Sequence, residues 1–267
     1  MDLVRDHAAA ADAARRPAPE VLSAMADRGL LRLVVPTASG GHQVGHAAFM
    51  EFAAAIAEAS GSAAWTAMTC NEEAGIAAAY LDPHDVAAVY AQQPNVIIAG
   101  SGVPNGRATK VEGGWRVTGR WGFVSGCTVA DRWVLVSLVE GTRPAAMCAA
   151  LVPAVAEQID DTWHTTGLRG TGSHHVVLED QFVPDDCAGV LEPSQPARPD
   201  TPFYRMPKGL RFPFPKVGVA TGLARRAIAE FADLAGAKQP LNHRSALRDR
   251  PDAQAAMSAS KQCLLHC

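Results

Sequence analysis

The chain has 267 residues, with 24 basic against 27 acidic side chains, a formal charge of −3 and 48% apolar residues. That length supports two or three units around a sizeable core, and the near-balanced charge excludes a nucleic-acid or anionic-membrane surface as the main partner. No stretch reaches the roughly 20 uncharged apolar residues of a membrane span, which leaves small-molecule chemistry as the expectation.

The N-terminus, Met1-Asp-Leu-Val-Arg-Asp-His7, puts acids where a secretory signal carries positive charge. Residues 1–16 form an Ala-rich helical stretch broken at Pro17 and Pro19. Val21, Leu22 and Met25 then follow helical spacing until Gly29 stops the run. A short apolar segment, 30–36, and a flexible turn at Ser39-Gly-Gly41 lead into a third helix over 49–58, with Phe49, Phe52, Ala53 and Ile56 on one face. Residues 63–80 form an apolar helix expected to be buried on most sides, and Asp82-Pro83 caps another through Tyr90.

From Asn95 the period changes from about 3.6 to about 2. Residues 95–99, 107–112, 115–123, 132–139, 145–152 and 174–183 read as strands separated by Gly, Pro and Asn turns. Short strands at this spacing with no helix between them predict an antiparallel barrel or sandwich. Residues 202–215 are a Pro- and aromatic-rich loop, 216–235 return to helix, and a last helix begins at Pro251. The fold class is therefore α+β. It comprises an N-terminal helical domain (1–93), a central β domain (94–190), and a linker with the first helices of a C-terminal bundle (191–267).

Six cysteines, at 70, 127, 148, 187, 263 and 267, form no CxxC pair, the usage of reduced thiols in a cytoplasmic protein. Gly100-Ser-Gly102 follows a strand but no helix opens behind it, so it is no dinucleotide fingerprint. His174 and His175 are adjacent on a strand and point to opposite faces, and no HExxH spacing occurs, so no metal is expected. Neither Ser125 nor Ser173 has the GxSxG surroundings of a hydrolase nucleophile.

Two stretches concentrate chemistry-bearing residues. Gly119-Arg-Trp-Gly-Phe-Val-Ser-Gly-Cys127 joins two strands at Ser125-Gly126, where glycine permits close approach to a ligand, an ordinary hairpin with core aromatics being the plainer alternative. Trp163 is followed by Gly167-Leu-Arg-Gly-Thr-Gly-Ser173 and then Phe182-Val-Pro184. Together these motifs resemble the acyl-CoA dehydrogenase superfamily, and more closely its flavin-dependent monooxygenase branch, the oxygenase components fed by reduced flavin. The resemblance covers about residues 15 to 262.

The resemblance implies a homotetramer built through C-terminal four-helix bundles, with a flavin between the β domain and those helices. Carried over by position, Trp121, Phe123, Ser125 and Gly126 would line the flavin, with Ser125 nearest its N5 and O4 edge and the one candidate catalytic group. Trp163 would pack on the ring and Ser101 would approach it, while Arg169 and Ser173 would hold the loop or help bind ligand. The implied activity is hydroxylation of a small aromatic or polyketide-like substrate with O2 and reduced FAD or FMN from a flavin reductase. Acyl-CoA α,β-dehydrogenation is the alternative. Where the branch often carries a helical His, this chain has Asn71-Glu-Glu73, and the family's usual base lies in helices beyond the last aligned one. A truncated member is therefore expected, which opens another class of reading: a non-catalytic remnant, or half of a protein completed by a partner.

Overall fold

A computed structural model describes residues 1–191, 201–206, 212–241 and 245–265. The helical period of the first ninety residues becomes α1 (Asp2–Ala14), α2 (Pro19–Ala26), α3 (His46–Ala57), α4 (Gly61–Tyr80) and α5 (Pro83–Gln92). Their ends follow from local chemistry. Ser60 accepts from the Ala63 amide at the start of α4, Asp82 accepts from the His84 amide at 2.8 Å, and Pro19 and Pro83 occupy first turns, where no amide is needed. Helix α4 runs through the middle of the helical layer, with Ala64, Ala67, Met68, Ala74, Ala77 and Ala78 buried. Asn71, fully buried on it, accepts from the Leu33 amide at 2.7 Å and donates to the carbonyls of Leu30 and Ala67, so the 30–35 loop is pinned to α4.

The β region forms β1 (Ile98–Val111), β2 (Gly114–Val124), β3 (Arg132–Val139), β4 (Met147–Pro153), β5 (Ile159–Asp160), β6 (His174–Pro184) and β7 (Ala188–Leu191), ordered β5-β6-β2-β1-β3-β4-β7. One detail departs from the antiparallel expectation: β1 and β3 run parallel, making the sheet mixed. After β2 the chain does not fold back as a hairpin; it crosses to the far side of β1, so β3 enters alongside β1 in the same direction. The two segments read as separate strands, 95–99 and 107–112, are merged in the single strand β1. Its register with β3 shifts between Ser101 and Gly106, which accommodates Pro104 where no ladder amide is required.

Alternation along β3 divides the core. Val134 and Val136 face the helices with Ala149 and Leu151, while Trp133 and Leu135 face the opposite layer with Val117, Trp121, Cys148 and Leu178. After the sheet come α6 (Pro202–Arg205), α7 (Pro213–Ala237) and α8 (Pro251–Leu265). Helix α7 lies against α3 at backbone distance: a side chain at Gly218 or Gly222 would come within 2.4 and 2.2 Å of the carbonyl oxygens of Met50 and Ala54. Cys70, Cys127, Cys148, Cys187 and Cys263 are free, and burial pushes the first three thiols up to about 12, which leaves them unreactive. His266 and Cys267 lie outside the described residues. No helix among the described residues is long and apolar enough to cross a membrane.

Candidate functional site

At the end of β2 the pairing with β6 steps three residues, from Trp121 to Val124, against two, from Val176 to His174. This is a bulge, and the extra residue breaks the period of two. Trp121 consequently points into the core, fully buried, with its indole N–H donating to the Val136 carbonyl at 2.7 Å. Phe123 is thrown the other way, left-handed at φ 59° and 72% exposed. The expected trio is thus divided: Trp121 packs the sheet and has no face left for a ligand.

Phe123 meets Trp163 edge-on, with centroids 6.2 Å apart and planes at 89°, and His175 at 6.1 Å. Trp163 is fixed from three sides. Its Nε1 donates to the Leu168 carbonyl at 3.0 Å, its amide donates to His174 Nδ1 at 3.3 Å, and its carbonyl accepts from Arg15 Nη1 at 3.0 Å. Arg15, left-handed after α1, also grips Asp161 through both oxygens at 2.9 and 2.8 Å. These hydrogen bonds, with the guanidinium charge, hold the Asp161 carboxyl down at about 2, although burial opposes them. Burial lowers the His174 imidazole against the pull of Asp161 3.1 Å away, consistent with a neutral ring accepting the Trp163 amide. Arg169 ties the same loop to α1, its Nε donating to the Asp12 carbonyl at 3.2 Å.

Ser125 is buried inside a chain of hydroxyls. Trp65 Nε1 donates to its Oγ at 3.1 Å; Ser125 and Ser173 are 2.7 Å apart, Ser173 and Thr171 another 2.7 Å, and Thr171 donates to the Leu168 carbonyl at 2.9 Å. Each hydroxyl has one proton. Since the Thr171 proton is used on Leu168, Ser173 must donate to Thr171 and Ser125 to Ser173, so Ser125 has only an accepting lone pair left for a ligand. Gly126, at φ 80°, presses on the other side of this turn, where a Cβ would lie 2.9 Å from Thr66. Phe123, Ser125, Gly126, Trp163 and Ser173 therefore gather at one place. Ser101 is buried in β1 where the register shifts, and among the described residues no hydrogen bond joins it to the hydroxyl chain.

Helices reach this turn through Trp65 on α4, whose Nε1 bonds the Ser125 hydroxyl. Lys216 on α7 donates to Glu72 Oε1 and Oε2 at 2.8 and 2.9 Å and to the Phe212 carbonyl at 3.0 Å, and lies 5.8 Å from the Trp65 ring. Burial pushes the Glu72 carboxyl up to about 7, against the opposing charge of Lys216. None of Trp65, Glu72 and Lys216 stands in a motif. The available signal was the spacing of Trp65, Thr69, Glu72 and Ile76, a partly polar stripe at helical period on an otherwise apolar helix.

The model for the acyl-CoA dehydrogenase N-terminal domain matches residues 2–81. Indole-3-acetate monooxygenase of Pseudomonas putida is 33% identical over 99% of this chain and 68% of its own length. The chain belongs to the flavin-dependent monooxygenase branch of the acyl-CoA dehydrogenase superfamily. Within this monooxygenase branch, the oxygenase subunit HsaA of Mycobacterium tuberculosis is 33% identical over 82% of this chain, which spans 58% of that relative. The FADH2-dependent resorcinol hydroxylase oxygenase component of Rhizobium sp. is 29% identical over 89% of this chain and 60% of its own length. Among solved structures, 3-HSA hydroxylase from Rhodococcus sp. RHA1 superposes with a TM-score of 0.84 at 28% identity, covering 98% of this chain and 69% of that one. The chain thus spans between 58% and 69% of the length of these relatives.

Proposed function

We propose that the chain is the oxygenase side of a two-component monooxygenase, which takes reduced flavin from a separate reductase and hydroxylates a small aromatic substrate with O2. The single observation that carries this reading is the exposed Phe123 ring, set edge-on to Trp163 beside the buried Ser125 hydroxyl. A non-glycine residue held at positive φ stores backbone strain of the kind that clusters at ligand sites, and here that strain leaves an aromatic face open to water. A flavin ring fits that surface, and the FADH2-dependent relative favours reduced FAD over FMN.

When bound, the flavin supplies the electrons and reacts with O2; the side chains position it and exclude water. Phe123 and Trp163 would cover the ring, Gly126 would allow its close approach, and Ser125 would accept a hydrogen bond from an N–H at its edge. Arg15, Asp161 and His174 would keep Trp163 in place, with Arg169 and Ser173 holding the loop beneath. A cytoplasmic homo-oligomer organised as three units, 1–93, 94–190 and 191–267, is the form in which we expect this to operate.

The test supplies the purified chain with chemically reduced FAD, ¹⁸O2 and a panel of phenols and indoles, and reads the products by mass spectrometry. One ¹⁸O atom in a product is the expected result. Bleaching of oxidised flavin by acyl-CoA, with no ¹⁸O in any aromatic product, would overturn it in favour of dehydrogenation.

A further inference from the structure

His174 opens β6 with a side chain only 7% exposed, and its Nδ1 stands between two groups of opposite demand. The Trp163 amide donates to it at 3.3 Å, whereas the Asp161 carboxylate, an acceptor only, lies 3.1 Å away. A single nitrogen cannot serve both: bare, it accepts the amide, and protonated, it donates to the carboxylate. Trp163 depends on the outcome, because its carbonyl is held by Arg15 at 3.0 Å and its indole meets Phe123 edge-on. Among the described residues, the charged and titratable groups around His174 come from three elements. Arg15, after α1, grips both Asp161 oxygens at 2.9 and 2.8 Å. Asp161 and His164 belong to the loop, with His164 Nδ1 3.2 Å from Arg15 Nη1. Cys127, after β2, lies beside the His174 backbone, and burial pushes its thiol up to about 12.

We propose that His174 is a positioning residue for the flavin site: its neutral imidazole holds the Trp163 backbone, and a proton taken up at Nδ1 releases it. The proposal rests on the monooxygenase reading above and adds a dependence on protonation. In the step, a proton from solvent forms a bond to Nδ1, the hydrogen bond from the Trp163 amide breaks, and the new N–H turns to Asp161 Oδ1. The charge of the cluster rises by one and no electron changes hands. Two losses follow. The Trp163 amide faces a donor instead of an acceptor and is left unpaired. The imidazolium also competes with Arg15 Nη1 for the same carboxylate oxygen, and that Nη1 is the group holding the Trp163 carbonyl. Both backbone anchors of Trp163 therefore weaken together, while its indole bond to Leu168 remains. Burial lowers the imidazole against the pull of Asp161, and the Arg15 guanidinium adds to burial. The released state therefore belongs below the ordinary histidine value of 6.5 and the held state above it.

Hydrogen exchange of the flavin-free full chain, expressed as protection over the intrinsic rate at each pH, reads the anchor directly. Protection across residues 161–167 is expected to fall about tenfold from pH 8 to pH 5 in the wild type. It should stay high at both in His174→Asn, whose Oδ1 accepts the Trp163 amide but takes no proton, and be low at both in His174→Leu, which has no acceptor. Anaerobic titration with chemically reduced FAD should repeat the order. The ratio of the wild-type Kd to that of His174→Asn is expected to rise about tenfold between the same pH values, the flavin's own ionisation being common to both proteins. Wild-type protection that does not change with pH would overturn the proposal, and this arm needs no variant. So would a His174→Asn chain that loses protection on acidification as the wild type does. Loss of protection with no FAD bound at either pH sinks the monooxygenase reading and leaves the anchor standing. FAD bound with a constant Kd ratio leaves that reading and sinks the positioning role.

Discussion

Phe123 is a residue whose conformation works against the fold and whose exposure works against solubility, being left-handed at φ 59° and 72% open to solvent. Non-glycine residues pay about 1 kcal/mol or more for that backbone region. Phe123→Gly should therefore leave the melting temperature unchanged or raise it, while weakening reduced flavin at least tenfold in an anaerobic fluorescence titration. A fall in both would mean that the ring is simply part of the core. Trp121→Ala should behave oppositely: urea denaturation should show a loss of about 3 to 5 kcal/mol, the usual cost of emptying a buried indole site. The motif Trp-x-Phe-x-Ser was legible as a site, but strict alternation puts residues 121, 123 and 125 on one face. The bulge that separates Trp121 from Phe123 leaves no mark in the residue types, so the place was legible and the division of labour was not.

At the scale of elements, the 161–173 loop is held by a helix more than a hundred residues away in sequence. Arg15 joins the end of α1 to Asp161 and to the Trp163 carbonyl, and replacing it by Gln should raise hydrogen exchange through residues 161–173 at constant pH. The Asp161 carboxyl is lowered from an ordinary value of 3.8 to about 2. A lowered carboxylate adds stability above its unfolded value and loses it as pH falls through the folded one. The urea midpoint should therefore drop between pH 4 and pH 2 in the wild type and less in Asp161→Asn. The difference should be small and reduced by salt, because the Asp161 side chain is 59% exposed. Sequence patterning located the strand β3 at its observed ends and the five N-terminal helices to within a few residues. It could not reveal that β3 runs parallel to β1, because hydrophobic alternation is the same in either direction and only the path of the 125–131 connection decides.

For the molecule as a whole, the relation that matters is how closely α7 lies on α3, because that spacing sets where Lys216 meets Glu72. Gly218 and Gly222 form the contact, and a Cβ at Gly222 would lie 2.2 Å from the Ala54 carbonyl and 2.7 Å from the Ala57 side chain. Backbone on one side and a buried helix on the other leave no room to yield, so Gly222→Val must push the helices apart, at about 1 to 3 kcal/mol for overpacking. The shift would also draw Lys216 away from a carboxylate that stays buried, which adds the penalty of a broken internal pair. Removing the ammonium in the wild type carries that second penalty by itself, but removing it from Gly222→Val would not incur it again. Urea denaturation of Gly222→Val, Lys216→Met and the double variant should accordingly give a combined loss smaller than the sum of the single losses. Strict additivity would mean that α7 can move without disturbing the Glu72–Lys216 pair, and that helix spacing and the ion pair are independent.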